Sequence, residues 1–319
     1  MTRRIGFVMD PLAGITPKKD STLAMMLAAQ ARGWSLYEMH QPDLALRDGA
    51  VSARMRAVTV RDDDHHWHDV TDVVELRLAD LDAVMMRKDP PFDMDYIYAT
   101  YLLEQAEAAG VPVFNKPRAL RDANEKLFTA WFPQCCPPTL VTARHELLRS
   151  FIAEHDDTIV KPLDGMGGTG VFRLHARDHN INSVLETLTQ RYRRPIMAQR
   201  YLPAITEGDK RILLVDGEPL EYCLARLPSA GETRANLAAG GGYRAQPLSD
   251  GDRWICEQVA PKLREHDLTF VGLDVIGDRL TEVNVTSPTC IREIARETGV
   301  NAAERLMDAV ERRWASAGR

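Results

Sequence analysis

Between Phe270 and Thr289 two apolar runs flank a Gly277-Asp278 pair, and three oxygen-bearing side chains, Asp274, Glu282 and Asn284, interrupt them. Side chains alternate across a strand, so Glu282 and Asn284 share a face, their bases roughly 6–7 Å apart at about 3.3 Å of rise per residue. Two carboxylates and a carboxamide so spaced suit hard cations. Mg²⁺ takes oxygen ligands and draws part of its shell from water and substrate phosphates, so a nucleotide is expected beside it. The alternative is a solvated outer face of an edge hairpin. Register separates the two. With a two-residue loop at Gly277-Asp278, Asp274 faces Thr281 and points away from Glu282. Convergence of all three ligands therefore predicts that Asp274 pairs with Glu282 across a three-residue loop, Gly277 to Arg279. Otherwise a lone carboxylate would lie buried among Leu273, Val275 and Ile276.

A second constellation points the same way. Residues 157–174 read as a strand ending at Lys161, a loop holding Gly165, Gly167, Gly168 and Gly170, and a strand from near Val171. The dinucleotide pattern G-x-G-x-x-G needs a helix directly after the loop, and here a strand-like run follows. Walker A needs a lysine followed by serine or threonine after the glycines, and Lys161 precedes them. A strand, glycine-rich flap and strand covering ATP is the better fit, against a ligand-free glycine-rich hairpin as the plain alternative.

With 319 residues the prior is about two domains, and 45% hydrophobic content is ample for buried cores. A net charge of −6 gives no electrostatic footprint for nucleic acid or an anionic membrane. The apolar run at the N-terminus stops at Asp10, too short for a signal-peptide core, and no window approaches a membrane span. A cytoplasmic protein is expected. Five cysteines without metal-ligand spacing agree with a reducing compartment.

Alternating elements predict an α/β (α+β) chain. Ile5–Met9 reads as a strand, Asp20 or Ser21 caps a helix through Arg32, Gly33 ends it, and Trp34–His40 is the next strand. A strand over Val51–Val60 follows the Asp48-Gly49 turn, and Leu81–Met86 is buried. Asp93–Ala109 reads as a helix, Val111–Asn115 as a strand and Arg118–Phe132 as a helix. Boundaries near Ala119 and Arg200 divide the chain into residues 1–119, 120–200 and 201–319.

Arg211 and Arg226 flank a hairpin about the Asp216-Gly217 turn, where both guanidiniums can reach one side and meet carboxylate or phosphoryl oxygens. Pro228–Arg244, rich in small residues, reads as a mobile lid. Arg87, Lys88 and Asp89 emerge at a strand's carboxyl end, where open α/β sheets place ligands. The acidic and histidine-rich run Arg61–Asp69 is contiguous and reads as a solvated loop rather than a metal site. Cys135 and Cys136 read as ordinary thiols.

Across nearly its whole length the chain resembles bacterial glutathione synthetases of the ATP-grasp superfamily. The likeness rests on Val8–Pro11, Met86–Asp93, Asn115–Pro117, Asn124–Trp131, Lys161–Gly168, Gly231–Arg234, Asn236–Gly241 and Asn284–Thr289. It implies an ATP-grasp fold behind an N-terminal open α/β domain, and ligation of γ-glutamylcysteine to glycine through an acyl phosphate. It further implies that Lys126, Lys161, Gly167 and Gly168 meet ATP phosphates, that Gln199, Arg200, Tyr201 and Leu202 line the adenine cleft, and that Asp209 lies near the ribose. Asp274, Glu282 and Asn284 would hold Mg²⁺, with Mn²⁺ as the alternative. Arg211, Arg226 and Asn236, with Lys161, would act on the reacting carboxyl group, and Lys19, Arg87, Asp89 and Ser287 would hold the dipeptide. Similar enzymes are homotetramers. Other readings are a different ATP-grasp carboxylate–amine ligase or a nucleotide-binding regulator without turnover.

Overall fold

The computed structural model describes residues 2–229 and 241–316. Three sheets organise it. In the first, Arg4–Val8 lies between Ser35–Met39 and Ala83–Met86, parallel to both, and Val113–Phe114 extends the sheet beyond Ala83–Met86. Two helices cover it, each started where its sequence supplies a cap. The Asp20 carboxylate accepts from Leu23 N at 2.7 Å to begin Ser21–Ala31, and Asp93 accepts from Tyr96 N at 3.0 Å to begin Met94–Ala108. Gly33, at φ +75°, supplies the left-handed turn that ends the first. The expected open α/β sheet is thus present. A ten-residue strand, His68–Arg77, was not anticipated. It pairs with Ala50–Val60 as an outer strand and is largely exposed, so its residues carry no clear alternation of burial to read.

The second sheet is small and antiparallel, in the order Phe172–His175, Asp157–Pro162, Ile196–Arg200, Thr139–Thr142. With the helices His145–His155 and Ile181–Leu188 it encloses its own apolar core, including Leu148, Ile152, Val160 and Leu185. The third sheet runs Tyr243–Pro247, Tyr222–Arg226, Asp209–Val215, Phe270–Ile276, Arg279–Asn284. It shares its cores with the first: Ile5 and Phe7 fall in one cluster with Leu213 and Phe270, and Val8 and Met86 in another with Ile212 and Val271.

One expected element is corrected. Instead of one helix over Arg118–Phe132 there is a short helix, Pro117–Asp122, and a separate 3-10 turn, Leu127–Trp131. The residues between leave the helical path because tertiary hydrogen bonds outbid helical ones. The Glu125 carboxylate accepts from Val285 N, Thr286 N and Thr286 Oγ1 at 2.8–3.0 Å, and its carbonyl accepts from Val283 N at 2.8 Å. Asn124 Oδ1 caps the 3-10 turn through Leu127 N at 2.9 Å, while its Nδ2 donates to Leu163 O at 3.0 Å.

Asn115 joins the first sheet to the third. Its Nδ2 donates to Phe270 O and Val285 O at 2.7 and 2.8 Å, and its Oδ1 accepts from Phe270 N at 2.8 Å. The side chain is buried, so its loss strands three backbone groups away from water. Asn115→Ala should therefore destabilise the protein by about 2–4 kcal/mol in denaturant unfolding, and a change below about 1 kcal/mol would show that solvent replaces these bonds.

Candidate active site

The hairpin Phe270–Ile276 and Arg279–Asn284 brings Asp274 opposite Glu282, as convergence requires, but by a different route from the one expected. Ile276 pairs with Arg279, so the loop is the two-residue Gly277-Asp278 turn, with Gly277 at φ +60°. Register is restored by a bulge: Asp274 faces Glu282 while Val275 faces Leu280, leaving Thr281 as the extra residue. Its hydroxyl donates to Asp274 O at 3.1 Å.

Asp209 pairs with Arg226 across neighbouring strands, so Arg211, two residues on, shares the face of Asp209. Arg211 Nε and Nη2 reach the two Asp274 oxygens at 2.6 and 3.2 Å, and Arg226 Nη2 lies 3.0 Å from Asp274 Oδ2 and 2.5 Å from Asp209 Oδ2. Gly272 makes room. A β-carbon there would fall 2.9 Å from Arg211 Cδ and 3.1 Å from Pro288 Cβ. Burial alone would raise the Asp274 carboxyl, but Arg211 and then Arg226 hold it well below the usual carboxylate range. Asp209 is left less compensated, and burial pushes it up to about 6 against the pull of Arg226.

Glu282 serves two lysines. Its Oε1 lies 3.3 Å from Lys161 Nζ and 3.6 Å from Lys126 Nζ. Burial opposes its charge, and Lys126 and then Lys161 overcome it, leaving the carboxyl lowered. Lys161 itself is lowered by burial, partly offset by Glu282. Lys126 reaches this position because the chain breaks from its helix at Ala123, and its ammonium also donates to the flap carbonyl of Gly165.

Two cavities meet here. The first, between the small sheet and the third sheet, is lined by Lys126, Lys161, the flap glycines 167 and 168, Gln199 to Leu202, and Asp209. Gln199 is anchored through Nε2 to Thr139 Oγ1 at 3.1 Å, and the Arg173 guanidinium stacks 3.6 Å from the Tyr201 ring centroid. The second, of about 740 Å³, is lined by Lys19, Arg87, Asp89, Arg211, Arg226 and Ser287 among others. Asp274 and Glu282 line both, and Asn284 lines the second. Every sequence-expected site residue therefore falls on one cavity or the other except Asn236, which lies outside the described residues, as does most of the Pro228–Arg244 segment read as a lid. Glu125, Gly272 and Thr281 were missed, because each acts through backbone geometry that residue type does not announce. Cys135 and Cys136 are buried free thiols, as expected.

Among the described residues no group of three or more His, Cys, Asp or Glu side chains could hold a metal, and the Arg61–Asp69 run, read as a loop, ends inside the strand His68–Arg77. The Asp274, Glu282 and Asn284 set is chemically different, two carboxylates kept ionised plus a carboxamide whose Nδ2 donates to Gly272 O at 3.2 Å. That bond leaves the Asn284 oxygen as the ligating atom. An all-oxygen set this small fits a hard divalent cation that completes its shell from phosphate and water.

Two descriptions of known protein families match this chain. The description "Prokaryotic glutathione synthetase, N-terminal domain" matches residues 4–121, and "Prokaryotic glutathione synthetase, ATP-grasp domain" matches residues 125–299. The chain is 60% identical to the glutathione synthetase of Pseudomonas syringae pv. tomato over 313 residues, 98% of each chain. It is 58% identical to that of Pseudomonas putida, over 98% of this chain and 99% of the other. In fold it resembles the ATP-grasp ligase PsnB solved with precursor peptide PsnA2 and AMPPNP, with a TM-score of 0.64, 19% identity and 99% of each chain covered. With both domain descriptions and near-full-length relatives in agreement, the chain is a member of the prokaryotic glutathione synthetase family, built on the ATP-grasp fold.

Proposed function

We infer that the protein is an ATP-dependent carboxylate–amine ligase that joins γ-glutamylcysteine to glycine, forming glutathione and releasing ADP and phosphate. The observation that carries this reading is the meeting of two cavities on one pair of carboxylates, Asp274 and Glu282. One cavity has the flap, lysines and apolar wall suited to ATP. The other has the arginines suited to a peptide carboxylate.

A carboxylate is a poor electrophile, so the cysteinyl carboxylate oxygen attacks the γ-phosphorus of ATP and ADP departs. The glycine amine then attacks the acyl carbon, phosphate leaves, and the amine gives up its proton. Lys126 and Lys161 would hold the phosphates beneath the Gly167-Gly168 flap, Gln199 to Leu202 the adenine, and Asp209 the ribose. Arg211 and Arg226, fixed on Asp274, would orient the cysteinyl carboxylate, with Asn236 beside it. Lys19, Arg87, Asp89 and Ser287 would hold the rest of the dipeptide. Asp274, Glu282 and Asn284 would hold Mg²⁺, or Mn²⁺ in its place. The bound cation supplies neutralisation of charge on the transferring phosphoryl group. The lysines and arginines supply the preorganised remainder, and removing a single such contact typically costs about 10²- to 10³-fold in rate. Exclusion of water protects the acyl phosphate.

We also propose division at about residues 119 and 200, supported by the separate core of the small sheet, together with a cytoplasmic location and a homotetramer. No helix among the described residues is long and apolar enough to cross a membrane.

Sustained ADP release, beyond one equivalent per active site, should require γ-glutamylcysteine and glycine together. Sustained release without glycine, or with another amine at equal efficiency, would point to a different ligase. Glu282→Gln should fold with a smaller loss of stability than a change at Asp274, since its pairs with Lys161 and Lys126 are longer, at 3.3 and 3.6 Å, and its side chain is partly exposed. It should still keep less than about a tenth of wild-type turnover at saturating Mg²⁺, because a hard anionic ligand is gone. Asp274→Asn should behave differently. It leaves two buried guanidiniums without their shared counter-charge, so unfolding measurements should show a loss of about 3–5 kcal/mol besides the loss of activity.

A further inference from the structure

The glycine-rich flap reaches both cavities: Gly165, Met166 and Gly167 line the first and the second alike, as do Asp274 and Glu282. Whatever holds the flap therefore governs access of water to the point where the cavities meet. Three successive flap residues are held by three different side chains. Asn124 Nδ2 donates to Leu163 O at 3.0 Å, Arg194 Nη1 lies 3.2 Å from Asp164 Oδ2, and Lys126 Nζ donates to Gly165 O. These ties are unequal. The Arg194–Asp164 pair is more than half exposed at both ends and contributes little. Lys126 is a cation on the wall of the first cavity, where phosphate groups would compete for its ammonium. Asn124 is neutral and lines neither of these cavities, but a third, of about 20 Å³, between the flap and the residues Pro90 and Phe92.

The Asn124 carboxamide is oriented from both ends. Its Oδ1 accepts from Lys126 N at 3.2 Å and from Leu127 N at 2.9 Å, so the group facing Leu163 O is the donor. The next residue fixes its backbone to the third sheet, because Glu125 accepts from Val283 N, Val285 N and Thr286 N. Leu163 instead follows directly on the small-sheet strand Asp157–Pro162. The Asn124–Leu163 bond therefore spans the cleft, and one carboxamide sets both the turn that delivers Lys126 and the position of the flap. On the ligase reading given above, we propose that Asn124 is a positioning residue that keeps the flap closed over the acyl phosphate once phosphate groups have drawn Lys126 away from Gly165. Without that tie, water takes the place of glycine at the acyl carbon. Phosphate then leaves, the dipeptide carboxylate re-forms with release of a proton, and ATP is consumed without a peptide bond.

Two variants separate the flap tie from the turn. Asn124→Ser keeps an oxygen able to cap Leu127 N but is too short to reach Leu163 O, whereas Asn124→Asp keeps both accepting bonds and exchanges the donor for a charge. ADP and glutathione are measured in the same reaction over a range of glycine concentrations. Wild-type enzyme should form them in equal amounts. In both variants ADP release without glycine should rise about 5-fold over wild type, the worth of one neutral hydrogen bond. ADP should exceed glutathione at low glycine, and the excess should shrink as glycine outcompetes water. A displaced Lys126 alone would lower both products together and leave them matched. Matched products in both variants overturn the proposal. So does excess ADP in Asn124→Ser with matched products in Asn124→Asp, which makes the turn the cause, or the reverse, which makes the new charge the cause. If one variant fails to fold, the products of the other decide. Absence of any ADP release by wild-type enzyme with γ-glutamylcysteine and glycine would instead take down the ligase reading and this proposal together.

Discussion

A carboxylate clasped by two guanidiniums, all three buried, fixes the centre of this protein. Removing such charges from water is expensive, and only close geometry with further hydrogen bonds offsets the expense. Much of the local structure is what that geometry requires. Arg211 must cross a strand that has no side chain at that point, hence Gly272. Asp274 must face the strand pair carrying Arg211 and Arg226, hence the antiparallel register of Arg211 with Asp274. Glu282 must come alongside, hence the bulge at Thr281. Each is a backbone solution to an electrostatic constraint.

The same constraint explains which parts of the molecule could be read from residues alone. Side-chain alternation in a hairpin is strict, so three oxygen ligands in an apolar strand pair identify both the face and the pairing of Asp274 with Glu282. The turn was misjudged because two different backbones give that pairing, a longer loop or a bulge, and alternation does not distinguish them. The run from Arg118 to Phe132 has helical composition throughout, yet Glu125 gains more from the backbone of residues 283–286 than a helix offers. That preference is invisible until the partner strand is in place. Asn115 stands directly before Lys116-Pro117, but its task of tying two sheets together appears only in three dimensions.

Charge where the two cavities meet is paired before any ligand arrives. Lys126 and Lys161 rest on Glu282, and Arg211 and Arg226 rest on Asp274. Four cations thus stand preoriented around two carboxylates, and little reorganisation remains when phosphate groups and a divalent cation take over as partners.

The distribution of apolar contacts gives the three sheets unequal freedom. The first and third are fused through common cores, whereas the four-stranded sheet closes its own. Swinging it outward would break a few polar ties, such as Asn124 to Leu163 and Lys161 to Glu282, without exposing those separate cores. In mechanical terms the nucleotide cleft has a soft jaw and a stiff jaw. The stiff one carries the anionic and arginine machinery, so an enzyme of this build can admit and release a large cofactor repeatedly while the atoms that perform the chemistry stay in register.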